Sequence, residues 1–350
     1  MRIYTYKDII CTLIMIGIFT ICFSSSSMAA ETAVVFSYRY IDNTSEPEKN
    51  ITLEQFKNQL EEIKRSKYNV LPLSEIVTKL KNKEPLPNKT IAIAFKETNK
   101  ETLDKAMPLL NAMELPFTIF FASDFINSES EFVLNSDELS NIYKKGIVDL
   151  GILPSDGQTL IGKNSSEIAK VVNKAIAAYT KITGEERPEL FAYPEGSYSN
   201  DVIDQISSYN FKAAMTENAG ALDKDTDFNL TPSFAINKDY NNLDRFINST
   251  YALPLHVTEV TPQDTLVKTD APIIGFTLGK DAENPENISC FASDIGKLNT
   301  TVLEEKRIEI RLKQPLISGR TSINCTLPVR KEVLNENEKP WKCFSMMLIK

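Results

Sequence analysis

The sequence predicts an α/β protein, a distorted (β/α) barrel followed by a small antiparallel β-sandwich domain. Three observations predict it. From Ala33 to about Ile247, short apolar runs alternate with amphipathic stretches, which implies parallel strands joined by right-handed crossovers. After Leu253-Pro254-Leu255 the pattern changes to period-2 segments separated by Gly, Pro, Asn and Asp. Ahead of both stands an apolar leader that belongs to neither.

The leader comes first. Arg2 and Lys7 precede the apolar run Ile9 to Phe23, and Ser24 to Ser27 with Met28-Ala29-Ala30 supply small residues for cleavage. Residues 1–30 are therefore expected to be a signal peptide. The run falls short of the roughly 20 residues of a comfortable membrane span, and no later stretch could cross a bilayer. The expected mature chain is exported, to the periplasm or the extracellular surface, with no membrane span once the signal is removed. Without Arg2, Lys7 and Asp8 it carries 37 basic against 46 acidic residues. That acidic excess, spread along the chain, argues against nucleic acid as a partner.

Residues 31–252 hold the strand–helix alternation. Ala33–Tyr38, Thr90–Phe95, Phe117–Ala122, Ile147–Ile152, Leu190–Tyr193 and Phe211–Met215 read as buried strands. Helices are predicted at Thr52–Ser66, Ser74–Leu80, Lys100–Met113, Ser136–Lys144 and Ser165–Ile182. In the first of these Thr52 and Gln55 form a capping box, and Leu53, Phe56, Leu60 and Ile63 share one face. With at least six such units a closed or distorted barrel is favoured over an open sheet, and function belongs at the C-terminal ends of its strands. Residues 253–350 hold the period-2 segments Ile273–Leu278, Cys290–Ala292, Lys306–Leu312, Thr321–Leu327 and Cys343–Ile349. Of the five cysteines, Cys11 and Cys22 leave with the signal. The other three, Cys290, Cys325 and Cys343, suggest one disulfide with one thiol left over. No CxxC pair supports a zinc reading.

Several stretches resemble the polysaccharide deacetylase family (NodB-homology, carbohydrate esterase 4-like), in a bacterial branch with a C-terminal β domain. Val34-Val35-Phe36-Ser37-Tyr38-Arg39-Tyr40 is similar to the branch's opening strand, which ends in Tyr-His-Arg. Tyr68-Asn69-Val70-Leu71-Pro72-Leu73 with Glu84-Pro85-Leu86-Pro87 resembles the approach to the second conserved strand, and Phe191-Ala192-Tyr193-Pro194-Glu195-Gly196 a Phe-Ala-Tyr-Pro-Tyr-Gly turn. Leu253-Pro254-Leu255, Ile274-Gly275-Phe276-Thr277, Cys290-Phe291-Ala292-Ser293 and Asn324-Cys325-Thr326-Leu327-Pro328 resemble the branch's C-terminal domain. The resemblance spans essentially the whole mature chain. It implies a barrel of the polysaccharide deacetylase type and a disulfide between Cys290 and Cys325, with Cys343 as the odd thiol.

The resemblance also implies a reaction, metal-dependent hydrolysis of N-acetyl groups on an amino-sugar polymer. Here the chain departs from the family. The family's Asp-Asp pair falls on Lys96 and Glu97, and its His-Thr-x-x-His element on Leu153-Pro154-Ser155-Asp156-Gly157. The single histidine of the chain, His256, lies in the domain linker. A catalytic zinc site needs three protein ligands, typically rich in nitrogen, and one imidazole cannot supply two. The positions Lys96, Glu97, Leu153 and Gly157 are thus expected to be degenerate, with no metal and no cofactor. Lys96 and Arg39 would then put cations where the metal's charge was, beside Glu97 and Glu195.

Tyr38, Arg39, Glu97, Tyr193, Glu195 and Tyr198 are the candidate glycan-binding residues, the tyrosines serving either as sugar platforms or as rim packing. Asp223, Asp225 and Asp227 read as a solvated turn in preference to a calcium site, and Trp341 as core of the β domain. The expected function is that of an exported deacetylase-like protein that binds an N-acetylated glycan of the envelope without hydrolysing it. One alternative is an active hydrolase using Glu97 and Glu195 as acid and base. The other is a structural or partner-binding envelope module.

Overall fold

The computed structural model describes residues 30–128, 130–238, 242–317, 319–329 and 339–350, so all of the expected signal peptide but Ala30 lies outside the described residues. The first unit contains β1 (Ala33–Tyr38), β2 (Tyr40–Ile41), β3 (Asn50–Ile51), β4 (Asn69–Val70), β5 (Thr90–Phe95), β6 (Phe117–Phe121), β7 (Val148–Ile152), β8 (Leu190–Ala192), β9 (Ala213–Met215), β10 (Ala221–Leu222) and β11 (Phe234–Ile236). Its helices are α1 (Leu53–Arg65), α2 (Leu73–Lys81), α3 (Lys100–Ala112), α4 (Ser123–Ile126), α5 (Ser136–Tyr143), α6 (Ser165–Thr183), α7 (Asn200–Ser207) and α8 (Leu243–Thr250).

Nine of these strands form one sheet in the order β10-β1-β5-β6-β7-β8-β9, with β4 also on β5 and β11 also on β1. Every pairing is parallel except β10 on β1. The sheet curls into a half-barrel. The far side of β9 meets Thr231 in a single parallel bridge at Met215, and the chain runs from there into β11.

Both faces of the sheet are covered, which is why its strands read as unbroken apolar runs. Val34, Phe36 and Tyr38 pack with Ile91, Ile93 and Phe95 in one cluster. Val35, Ala92 and Ala94 face the other way, onto Leu73, Ile76, Val77 and Leu80 of α2. The capping box at the head of α1 forms as the spacing requires: Gln55 N donates to the Thr52 hydroxyl, and Gln55 Oε1 accepts from Thr52 N at 2.8 Å. Among the described residues no helix is long and apolar enough to cross a membrane.

The second unit contains β12 (Ala252–Pro254), β13 (Val257–Thr261), β14 (Ile274–Leu278), β15 (Ser289–Ala292), β16 (Gly296–Lys297), β17 (Asn299–Val302), β18 (Arg307–Arg311), β19 (Arg320–Pro328) and β20 (Trp341–Ile349). They form a five-stranded sheet, β12-β20-β19-β15-β16, and a four-stranded sheet, β13-β14-β18-β17. One apolar cluster is shared between them, with Phe276 and Ile308 from one sheet and Ile323, Leu327 and Leu348 from the other. The pairings are antiparallel except β12 on β20, which is parallel. Cys290 and Cys325 face each other across β15 and β19 and form a disulfide, while Cys343 is a buried free thiol. Trp341 lies at the junction, its ring against Phe234 of the barrel and its Nε1 donating to the Asn248 carbonyl at 2.8 Å.

Candidate functional site

The C-terminal ends of β1 and β5 are held in register by Lys96 N donating to the Tyr38 carbonyl at 3.0 Å. That pairing releases Arg39 and Lys96 side by side at the mouth of the half-barrel. The Lys96 side chain is 3% exposed, and its Nζ donates to Glu217 Oε1 at 3.0 Å. Arg39 donates through Nη2 to the same oxygen at 2.9 Å and through Nη1 to Glu195 Oε1 at 3.2 Å, with Glu97 3.7 Å from its Nε. Tyr40 steadies Glu97 by donating to Oε2 at 2.5 Å. Lys49 donates to Glu195 from 3.0 Å. From the second unit, Arg320 at the start of β19 reaches across to the Glu195 backbone carbonyl and, at 3.5 Å, to Glu217 Oε2.

Two backbone features hold the glutamates in place. Glu195 has φ +52°, a left-handed conformation unusual for a residue other than glycine, at the turn after β8. Gly196 follows at φ +68°, and a Cβ there would sit 2.4 Å from Glu217 N. Only glycine fits both the dihedral and the close approach, so the Tyr193-Pro194-Glu195-Gly196 turn is locked against the strand end that carries Glu217.

The charges set one another's protonation. Burial pushes the Glu217 carboxyl up, but Lys96, Arg39 and Arg320 together outweigh it and hold the pKa at about 2. For Glu195, burial again opposes and Lys49, Arg320 and Arg39 prevail, leaving it below the ordinary carboxylate value. Burial lowers Lys96, with Glu217 opposing, whereas Arg39 is raised because its three carboxylates outweigh its burial.

The expected residues Arg39, Lys96, Glu97 and Glu195 therefore come together, with one difference in pairing. The partner of Lys96 is Glu217, not Glu97, and Glu97 belongs to Arg39. Glu217, Lys49 and Arg320 were missed. Glu217 stands two residues beyond β9, so its place at the mouth was there to be read from the strand pattern; Arg320 joins through packing of the two units, which no local pattern announces. The three tyrosines are the clear correction. Tyr38 and Tyr193 are 1% and 0% exposed and Tyr198 is 6% exposed. Tyr38 donates to Gln59 Oε1, Tyr193 donates to the Asn229 carbonyl, and Tyr198 accepts from Asn218. The burial of all three favours the packing reading over that of an open sugar platform. Among the described residues of this unit the exposed aromatics are Phe125, beyond β6, and Phe132.

The mouth does not fit the family's metal. Leu153 packs in the apolar cluster beside Phe120 and Ala122. Gly157 has φ +63°, a left-handed conformation in which an imidazole-bearing residue would be strained, and a Cβ there would lie 2.8 Å from the exposed Phe125 ring, which would have to shift. Beside the glutamates stand ammonium and guanidinium groups, which repel a cation. The one group of metal-capable side chains among the described residues lies elsewhere, at the junction of the units, where Asp223, Asp225 and His256 place donor atoms within 4.8 Å of one another. These groups already serve each other. His256 Nε2 and Asp223 Oδ2 are 2.8 Å apart, Asp223 Oδ1 accepts from Asp225 N at 2.9 Å, and Asp225 pairs with Lys224 at 3.0 Å. Asp227 accepts from Asn229 N to cap a short 3-10 turn. The aspartate run is thus an internally bonded turn, and His256 ties it to the linker.

Residues 83–214 match the polysaccharide deacetylase family model. The chain is 24% identical over 200 residues to a poly-beta-1,6-N-acetyl-D-glucosamine N-deacetylase of Staphylococcus epidermidis, which covers 54% of this chain and 69% of that protein. A relative of the same name in Staphylococcus aureus is 22% identical over 216 residues, 58% of this chain and 74% of its own length. Among solved structures, a Streptococcus pyogenes deacetylase in complex with acetate is similar with a TM-score of 0.58 and 15% identity, over 64% of this chain and 99% of that one. IcaB from Ammonifex degensii is similar with a TM-score of 0.56 and 16% identity, over 62% and 97%. At these identities the structural likeness shows a shared deacetylase-type fold.

Proposed function

From its membership of the polysaccharide deacetylase family, we propose that this chain is an exported glycan-binding protein of the cell envelope that does not carry out the family's hydrolysis. The observation that carries the reading is the Arg39–Lys96–Glu217 cluster, where organic cations hold the mouth in place of a metal. Its ligand is an N-acetylated amino-sugar polymer, in line with the relatives named for poly-beta-1,6-N-acetyl-D-glucosamine. In the same reading residues 1–30 are a cleaved signal peptide, 31–252 form the ligand-binding barrel, and 253–350 form a β sandwich stapled by Cys290–Cys325.

The rival hydrolase built on Glu97 and Glu195 cannot use Glu195 as its acid. A general acid needs a raised pKa, and Glu195, encircled by Lys49, Arg39 and Arg320, is held low. The test is calorimetric titration of residues 31–350 with β-1,6-linked N-acetylglucosamine oligomers, alongside Glu97→Ala. Saturable binding to the wild type, weakened in the variant while its melting transition is kept, is expected. No binding, or binding that ignores the mouth, would transfer the function to the β unit as a partner-binding module.

A further inference from the structure

Behind the ion pairs lies a cavity of about 80 Å³, lined by Ser37, Arg39, Lys49, Lys96, Glu217 and Arg320 among others. That is room for several water-sized groups, each needing roughly 10–15 Å³. The lining holds four cations and one carboxylate. Lys96 sits deepest at 3% exposure and Arg39 follows at 11%, while Arg320 at 33% and Lys49 at 39% stand nearer to solvent.

The donors are under-used. An ammonium has three N–H groups, and among the described residues the Lys96 Nζ makes a hydrogen bond to Glu217 alone. Glu217 is shared by Lys96, Arg39 and Arg320, the last at a long 3.5 Å. A buried ammonium with idle donors is costly unless something else accepts from it. Glu97 and Glu195 cannot serve, since neither lines the cavity. Counting them, four cations face three glutamates, and Glu46, 3.8 Å from Lys49 at the rim, makes the wider count four against four. The positive excess is therefore local to the cavity, whose lining sets one carboxylate against four cations. A planar carboxylate suits guanidinium forks, which grip it through paired N–H groups.

We infer that this cavity is a carboxylate-binding pocket, and that the glycan held at the mouth carries a carboxylate that enters between Lys96, Arg39 and Arg320. The inference rests on the glycan-binding reading and narrows it to an acidic, N-acetylated polymer. The carboxylate accepts from the idle Lys96 donors and from Arg320, completing a charge balance that Glu217 alone leaves short.

The experiment titrates residues 31–350 with three probes: a neutral N-acetylglucosamine oligomer, an oligosaccharide alternating N-acetylglucosamine with glucuronate, and sodium acetate. The glucuronate oligomer is expected to bind at least tenfold more tightly than the neutral one, and this advantage to vanish in Lys96→Met. Because Lys96→Met can disturb folding, Arg320→Gln, altered in the other unit and one-third exposed, is measured as well and is expected to lose most of the same advantage. Equal affinity for the two oligomers would overturn the carboxylate pocket and leave glycan binding standing. Binding of neither would overturn both. Acetate displacing the glucuronate oligomer at equal concentration would show a pocket for free small carboxylates and overturn the assignment to a glycan.

Discussion

The mouth of the half-barrel and the junction between the two units both gather charged groups, but they are built on opposite lines. At the junction Asp223, Asp225, Thr226 and His256 satisfy one another within one turn and its neighbour, with about half of the groups open to water. At the mouth the partners come from six separate segments, and three cations converge on one largely buried glutamate. The first arrangement is the bonding of a turn. The second keeps charge out of water with too few acceptors, which a protein core tolerates only where other contacts over-determine the geometry. The comparison teaches that a cluster able in principle to hold a metal can be plain structure, whereas a cluster that repels metals can be the site.

The largest expected effect is from Lys96→Asp, which would restore an acidic side chain and set it against Glu217. Breaking a buried pair in this way costs about 3–5 kcal/mol, so denaturant unfolding should show a loss of that order. A stability equal to wild type would mean that the pair does not hold the mouth together. Acid supplies the next test. Glu217 is ordinarily a carboxylate of pKa 4.5 and is held at about 2 in the fold, so its contribution is complete above pH 4.5 and is lost as pH falls towards 2. Linkage puts that contribution on the order of 3 kcal/mol. Wild type and Glu217→Gln, unfolded at a series of pH values, should therefore differ at pH 6 and converge near pH 2; a constant gap would place the cost of the variant in packing.

Arg320→Gln sharpens the comparison from the second unit. Its bonds to the Glu195 carbonyl and to Glu217 are partly exposed, so roughly 1 kcal/mol is expected, together with a larger separation between the melting of the two units in calorimetry. The smallest effect belongs to His256→Gln. Its pairing with Asp223 lies at a side chain 40% exposed, where such pairs contribute about 0–1 kcal/mol. A loss larger than that of Arg320→Gln would reverse the ranking of the two clusters.

The sequence shows the barrel strands because they are buried on both faces, and β1 and β5 fall on the expected residues, Ala33–Tyr38 and Thr90–Phe95. The same double burial hides which way a strand-end tyrosine points, so Tyr38, Tyr193 and Tyr198 read as rim candidates although each lies inside. Short or polar strands such as β10, β11 and β13 have too few apolar residues to show a period, and β13 is broken by a register shift between Thr258 and Thr261. Helices α7 and α8 are not among the predicted helices, although at eight residues each they match the predicted α5 in length. At the site, Arg39, Lys96, Glu97 and Glu195 are legible because each ends a strand or opens its turn. Arg320 is not, because its place depends on how β19 packs against a turn 125 residues away.

The most direct measurement is acetate release from N-acetylglucosamine oligomers by purified residues 31–350, supplied with zinc or cobalt, with Glu97→Ala run in parallel. The expected result is no release above the variant's background, because Leu153, Gly157 and Lys96 stand where a metal site would need its ligands and base. Release by the wild type that disappears in Glu97→Ala would contradict this and establish a catalytic arrangement at the mouth.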